Sequence, residues 1–346
     1  MTRSTANLPI QTDVNLAPYN TLNVETVASS FLSVSSTGEL QKFITDFSKE
    51  YSKLFVLGGG SNVLFVENFP GMILHVNIKG KKVVKENAEH VWLKIGAGEN
   101  WHETVLYCVN KGWGGIENLS LIPGTVGAAP IQNIGAYGVE LKEVFESLEA
   151  LELSTGKPRT FYKEDCRFGY RDSIFKNELK GQYVVTEVAL KLSKKPNLNT
   201  SYGAINDELE KRNIQQPTIR DISEIVIDIR NSKLPNPGDL GNAGSFFKNP
   251  IVSKQKYEHL KLEYPSIPGY ELNAIETKIP AGWLIEEAGL KGKVYGNAGT
   301  YKQQALVIVN HGGATGKEIL ELSKKIRAAV KNKFGIQLVP EVNIVG

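Results

Sequence analysis

Residues 53–66 read KLFVL-GGGSN-VLFV. Two short apolar runs, rich in Val and Phe and bounded by turn-forming residues, predict strands. Gly58, Gly59, Gly60, Ser61 and Asn62 therefore form a loop between two strands. Glycines there let backbone N–H groups approach a phosphate and form an anion-binding nest. No Lys follows, which excludes a P-loop, and the next element is a strand rather than a helix, which excludes the dinucleotide fingerprint of a βαβ unit. Read alone, the run fits a plain tight turn at least as well as a cofactor loop. A second glycine-rich stretch, IPGTVGAAPIQNIGAYG at 122–138, favours the cofactor, because two such loops would cradle one dinucleotide between them.

Outward from this loop the chain organises into three units. Upstream, Ser36-x-x-Glu39 is a capping box, and Leu40, Phe43, Ile44 and Phe47 recur at helical spacing, predicting a helix from Thr37 to Tyr51. Downstream, a turn at Pro70-Gly71 leads into a strand at MILHV (72–76). The second unit opens with strand VWLKI (91–95). Asn100-x-x-Glu103 then caps a helix whose Trp101, Val105 and Cys108 share a face, with Gly112 ending it. Glycines and prolines from 112 to 138 predict an extended loop, of a length that is often functional. Strands return at LEALEL (148–153) and YVVTEVALKL (183–192). The polar stretch KKPNLNTSYG (194–203) predicts a boundary.

In the third unit Ile222, Ile225, Val226 and Ile229 give a helix that ends before Lys233-Leu234-Pro235. It also holds NAGSFFKNP (242–250), a short helix at Ala281 to Ala288, strand ALVIV (305–309), and a helix capped by Thr315-x-x-Glu318 that aligns Ile319, Leu322, Ile326 and Val330. LVPEVNIVG closes the chain as a strand in which period two places Val342 and Ile344 on one face and Glu341, Asn343 and Val345 on the other.

The chain has 346 residues, 41% hydrophobic and 22% charged, which is ordinary for a folded protein of more than one domain. Its 40 basic and 37 acidic residues give +3, spread without the stripe of a nucleic-acid binder. Two cysteines build no disulfide framework and favour a reducing compartment, the cytoplasm by default. The first fifteen residues hold no apolar block of a signal peptide, and no apolar run approaches the roughly 18 residues that span a bilayer. The five histidines show no ligand spacing, so no metal is expected.

Each candidate site residue has an ordinary structural use as well. Arg171, in CRFGYRDS (166–173), stands beside Asp172, and such a pair is commonly a surface salt bridge. Gly169 instead allows a tight turn that would present the guanidinium to a carboxylate. Ser245 precedes two aromatics where most serines are caps or turn formers. Without a G-x-S-x-G elbow or a nearby His it is no hydrolase nucleophile, which leaves proton donation. Glu341, after Pro340, would commonly face solvent.

Taken in order, GGGSN, GAGENWHETV, IPGTVGAAPIQNIGAYG, CRFGYRDSIFK, KLPNP, GNAGSFFKNP, AGWLIEEAGLKG, QQALVIVN and PEV resemble the UDP-N-acetylenolpyruvoylglucosamine reductases, also called UDP-N-acetylmuramate dehydrogenases, from about Asn20 to Gly346. The resemblance implies an α+β chain: a two-part FAD-binding fold like that of vanillyl-alcohol oxidase, plus an α+β substrate domain. Its parts are 1–79, joined by the C-terminal strand 336–346, then 80–218 and 219–335. It implies noncovalent FAD, NADPH as hydride donor in a ping-pong course, a nucleotide-sugar substrate and a monomer. Carried over by position, Arg171, Ser245 and Glu341 form the catalytic set. FAD falls to Gly58, Gly59, Gly60, Ser61, Asn62, Pro123, Gly124, Gln132, Asn133, Gly135, Ala136, Tyr137, Gly138 and Val185. Substrate falls to Tyr170, Tyr202, Lys233, Asn249 and Gln304, with Tyr202 marking the subgroup whose tyrosine loop closes over substrate. Asn343 departs from the pattern, standing where the family has Arg. The rival readings are an FAD oxidase of a small alcohol or sugar, and a noncatalytic nucleotide-binding module in which Arg171 and Glu341 form a structural ion pair.

Overall fold

In the computed structural model residues 8–346 are described, so the N-terminal expectation, where it concerns residues 1–7, lies outside them. The chain forms two compact units. Unit 1 takes the described residues up to Val14, Ala28–Gly59 and Pro70–Arg230, and unit 2 takes Asn15–Val27, Gly60–Phe69 and Asn231–Gly346. The chain passes from one to the other inside the GGGSN run.

Unit 1 contains two sheets. The first is four-stranded in the order Gln11–Asn15, Val27–Val34, Phe69–Val76, Leu54–Leu57, the last two parallel with Leu54 opposite Met72 and Leu57 opposite His75. The second is five-stranded and antiparallel, in the order Pro158–Tyr162, Phe145–Glu152, Tyr183–Ser193, His90–Gly96, Lys81–Glu86. Helix Thr37–Asp46 starts where Ser36 Oγ accepts the Glu39 N–H at 3.2 Å, and helix Trp101–Asn110 where Asn100 Oδ1 accepts the Glu103 N–H at 3.0 Å. Such caps contribute about 1 kcal/mol each. The stripes they register bury Leu40, Phe43, Trp101, Val105 and Cys108 in one core with Leu148, Val188 and Leu190 of the second sheet. A fully buried side chain of this kind stabilises by roughly 1.5–3 kcal/mol. Helices Gly203–Lys211 and Ile219–Lys233 close a smaller core of Ile205, Leu209, Ile222, Ile225, Val226 and Ile229.

Unit 2 is built on an antiparallel sheet in the order Gly241–Ser245, Val307–Asn310, Ala298–Thr300, Val294–Tyr295. Helix Gly316–Phe334 carries the full capping box at Thr315 and Glu318 and buries Ile319, Leu322, Ile326 and Val330 with Leu64, Phe246, Phe247, Leu284 and Ile308. Strand Val63–Phe65 pairs in parallel with Asn343–Val345.

Four local expectations are corrected. The first helix stops at Asp46, and Ser48–Glu50 is a separate 3-10 turn. Pro70 and Gly71 lie inside strand Phe69–Val76 rather than in a turn. Proline is tolerated there because the register with the neighbouring strand Leu54–Leu57 begins only at Met72. The strand expected at 305–309 is Val307–Asn310. The C-terminal strand shrinks to Asn343–Val345, with Val342 buried and Ile344 42% exposed. Period two fails because residues 339–341 pair elsewhere, as described below.

Candidate active site

In unit 1 the two glycine-rich loops meet backbone to backbone. A Cβ on Gly59 would stand 3.0 Å from Gly124 Cα, and one on Gly58 would stand 2.6 Å from Thr125 Oγ1. Glycine permits this approach. Gly60, in unit 2, has φ +61 and would drive a Cβ into the Tyr19 carbonyl.

The second loop is bolted to the segment that carries Arg171. Gly169 and Asp172 exchange main-chain hydrogen bonds at 3.0 and 3.3 Å, so Tyr170 and Arg171 form the two-residue tip of a hairpin. Buried Asn133 donates to Gly169 O at 3.0 Å, buried Ser173 donates to Ile131 O at 2.6 Å, and the Arg171 guanidinium donates to Gly135 O. The Asp172 carboxylate accepts from Asn177 Nδ2 at 3.1 Å. Leu121, Asn133, Tyr137 and Arg171 all have positive φ, between 45° and 56°. Side chains held in the left-handed region cost of order 1–3 kcal/mol each and gather at functional sites.

Tyr170 lies under the Arg171 guanidinium, 5.4 Å from its ring centroid. Tyr137 meets Tyr202 edge to face, with centroids 5.0 Å apart. Pro123 and Gly138 are exposed, Gln132 and Ala136 half-buried, and Val185 is buried in strand Tyr183–Ser193.

Arg230 joins this group without having been expected. It hydrogen-bonds Tyr137, and its Nε donates to Leu121 O at 3.2 Å. Some of its surface reaches solvent, yet protein crowds the guanidinium, and burial pushes its pKa down against the opposing pull of Tyr137. A guanidinium keeps its charge regardless. Burial raises the Tyr137 phenol, keeping it neutral. Burial also lowers His102, with Arg230 adding to the effect, and the neutral imidazole accepts the Leu121 N–H at 3.0 Å through Nδ1. The sequence held one signal for Arg230: four residues after Val226, it falls on the buried stripe of its helix.

In unit 2, residues 246–248 pair with 339–341. Glu341 N donates to Phe246 O at 2.8 Å and Lys248 N to Val339 O at 2.9 Å, with Phe247 opposite Pro340. This seats Glu341 opposite Phe246, the residue after Ser245, which ends strand Gly241–Ser245 half-buried. Asn62 adjoins the same pair, donating from Nδ2 to Glu341 O at 3.3 Å. Asn343 donates to Asn62 O from both its main chain, at 3.1 Å, and its side chain, at 3.0 Å. The residue that departs from the expected Arg thus fastens the GGGSN loop. Ser61 is half-buried beside it. Asn249 Oδ1 accepts the Ala281 N–H at 2.9 Å, and Gln304 Oε1 would stand 2.6 Å from a Cβ on Gly282. Both residues therefore sit at the start of helix Ala281–Glu287. Lys233 is exposed. Among the described residues, no cluster of three His, Cys, Asp or Glu could hold a metal, and no helix is long and apolar enough to cross a membrane.

A family model for the C-terminal domain of UDP-N-acetylenolpyruvoylglucosamine reductase matches residues 236–345, and one for an FAD binding domain matches 28–161. The UDP-N-acetylenolpyruvoylglucosamine reductase of Flavobacterium johnsoniae is 48% identical over 339 residues, covering 98% of this chain and 100% of the relative. That of Amoebophilus asiaticus is 50% identical over 338 residues, with the same coverage. The chain belongs to the UDP-N-acetylenolpyruvoylglucosamine reductase family. The crystal structure of the family member from Thermus caldophilus superposes with a TM-score of 0.69 at 25% identity, covering 98% of this chain and 99% of that one.

The family's α+β fold, with its FAD-binding part, is the fold expected from the sequence. The protein is an FAD-dependent oxidoreductase of peptidoglycan precursor synthesis with NADPH as cosubstrate. Its own residues fit the flavin. A Cβ on Gly58 or Gly59 would press into the second glycine loop, and both loops lie within the matched FAD-binding stretch.

Proposed function

We propose that this enzyme reduces the enolpyruvyl ether of UDP-N-acetylglucosamine to UDP-N-acetylmuramate. The observation that carries this reading is the close meeting of the two glycine loops beside a hairpin that holds Arg171 in a strained conformation. The chemistry that bound FAD would supply is relay of a hydride from NADPH to the terminal vinyl carbon of the substrate. Main-chain N–H groups of Gly58, Gly59 and Gly124 receive the diphosphate, and Ser61, Asn62 and the 132–138 segment hold the remainder.

Hydride addition leaves negative charge spread over the adjacent carbon and the carboxylate. Arg171 stabilises that charge; its anchor at Gly135 sets its direction before substrate arrives. Ser245 donates the proton to carbon. A hydroxyl is a weak acid, but a carbanion-like centre is a strong base, so a positioned neutral donor suffices. Glu341 assists by hydrogen bonding. Tyr170, Tyr202, Lys233, Asn249 and Gln304 bind the nucleotide-sugar.

The parts 1–79 and 80–218 carry flavin in this reading. The substrate part runs from 219 to 335. The protein acts as a cytoplasmic monomer. Anaerobic mixing of the FAD-loaded enzyme with NADPH tests the reading: the flavin should bleach rapidly and be reoxidised by the enolpyruvyl sugar. Absence of bleaching would sink it, and reoxidation by oxygen but not by the sugar would favour an oxidase.

A further inference from the structure

Residues 117–121 form a rigid platform. Trp101 Nε1 donates to Leu119 O at 3.0 Å, Ser120 and Ser223 share a hydrogen bond of 2.8 Å, and Leu121 is held on both sides, by His102 and Arg230. Asn118 stands on this platform, 1% exposed. Its Nδ2 donates to Tyr137 O at 3.0 Å and to Asn199 O at 2.9 Å. Both partners are carbonyls, so only the amide nitrogen serves, and Oδ1 is buried with no partner of its own. A buried acceptor left unsatisfied is destabilising, and an apolar side chain of the same shape would remove that cost while taking the donor away from the Tyr137 and Asn199 carbonyls.

What the two donated bonds accomplish is a join between two segments. One is the end of the second glycine loop, at Tyr137. The other is the segment leading to Tyr202, in which Asn199 Nδ2 donates to Gly138 O at 3.1 Å and Asn199 Oδ1 accepts from Ser201 N and Oγ. Three residues beyond Asn199, the Tyr202 ring lands edge-on against Tyr137, which is itself bonded to Arg230. We propose that Asn118 is a positioning residue for Tyr202: by pinning Asn199 and Tyr137 to one fixed amide, it sets where the Tyr202 ring is offered to the nucleotide-sugar. The assignment rests on the substrate reading given above.

A double-mutant cycle on the oxidised, FAD-loaded enzyme tests it, with UDP-N-acetylmuramate as the titrant in calorimetry and amide exchange followed over 199–203. Asn118→Leu should weaken binding about tenfold in the parent and less than about twofold in a Tyr202→Ala background, and should speed exchange of 199–203 with flavin content unchanged. Equal weakening in both backgrounds, or none, would overturn the proposal. If Asn118→Leu does not accumulate with flavin, Asn118→Ser carries the same cycle. Failure of the parent enzyme to bind UDP-N-acetylmuramate would sink the substrate reading instead, and the exchange measurement would then decide the role of Asn118 alone, with unchanged exchange counting against it.

Discussion

Glu341 donates its main-chain N–H to the carbonyl oxygen of Phe246 at 2.8 Å, so a carboxylate-bearing residue lies across a short antiparallel pairing from the neighbour of Ser245. Nothing local in sequence joins residues 245 and 341. The pairing goes with burial of Phe246 and Phe247 in the core of unit 2, and Ser245 and Glu341 are both half-buried.

From that placement, Ser245→Ala should separate the two half-reactions. Flavin reduction by NADPH should stay within about threefold of the parent, while reoxidation by the enolpyruvyl sugar should fall at least about a hundredfold, the scale of a lost proton donor. Rapid-mixing absorbance of the flavin reads both steps. Undiminished reoxidation would remove Ser245 from the mechanism.

Arg171→Lys should impair the same second step by about 10²-fold or more, the scale of one lost charge-stabilising donor. Lysine keeps the charge but loses the planar fork that can hold Gly135 O and a carboxylate together. If the lysine variant reoxidises within about threefold of the parent, charge alone suffices and the anchored geometry is irrelevant.

Much of the fold was legible because its strongest signals are local. Ser36, Asn100 and Thr315 each cap the helix their spacing announced, and the stripes behind them are the stripes that are buried. Helix Gly203–Lys211 escaped because only Ile205 and Leu209 are buried in it and no side chain caps its start at Tyr202. The site was legible as an ordered set of short motifs. Its geometry was not, since φ +53 at Arg171 is disfavoured by every local preference of arginine and goes with the Gly169–Asp172 hydrogen bonds that close the hairpin and with the guanidinium's bond to Gly135 O. The roles of Asn118 and Arg230 escaped for a related reason, Arg230 showing only its place on a buried stripe: they depend on partners far along the chain, at 199 and 137.

Gly59→Ala should yield a folded protein that retains little FAD. The added methyl would lie 3.0 Å from Gly124 Cα and 3.2 Å from Gly124 C, main-chain atoms that cannot swing aside as a side-chain tip can. The two loops must separate by a few tenths of an ångström or more, which spoils N–H groups aimed at one diphosphate. Flavin released by denaturation, per chain, should fall well below the parent value while far-UV circular dichroism is retained. Full flavin content in the alanine variant would mean that the close approach is not what binds it.

The last prediction concerns alkaline stability and follows from Cys108. Its thiol is fully buried among Trp101, Val105 and their neighbours, and burial pushes its pKa from 9.0 to about 12, against a smaller opposing effect of Lys81. A folded-state pKa above the unfolded one means that the unfolded chain loses its proton first as pH rises. The stabilisation is therefore complete below pH 9.0 and is withdrawn between 9.0 and about 12, at roughly 1.4 kcal/mol per pH unit. Urea midpoints measured between pH 8 and 11 should fall along that limb in the parent. Cys108→Ala, although less stable at pH 8 for want of packing, should show a limb shallower by about 1 kcal/mol per pH unit. Parallel limbs in the two proteins would show that Cys108 is not the group whose ionisation opens the core.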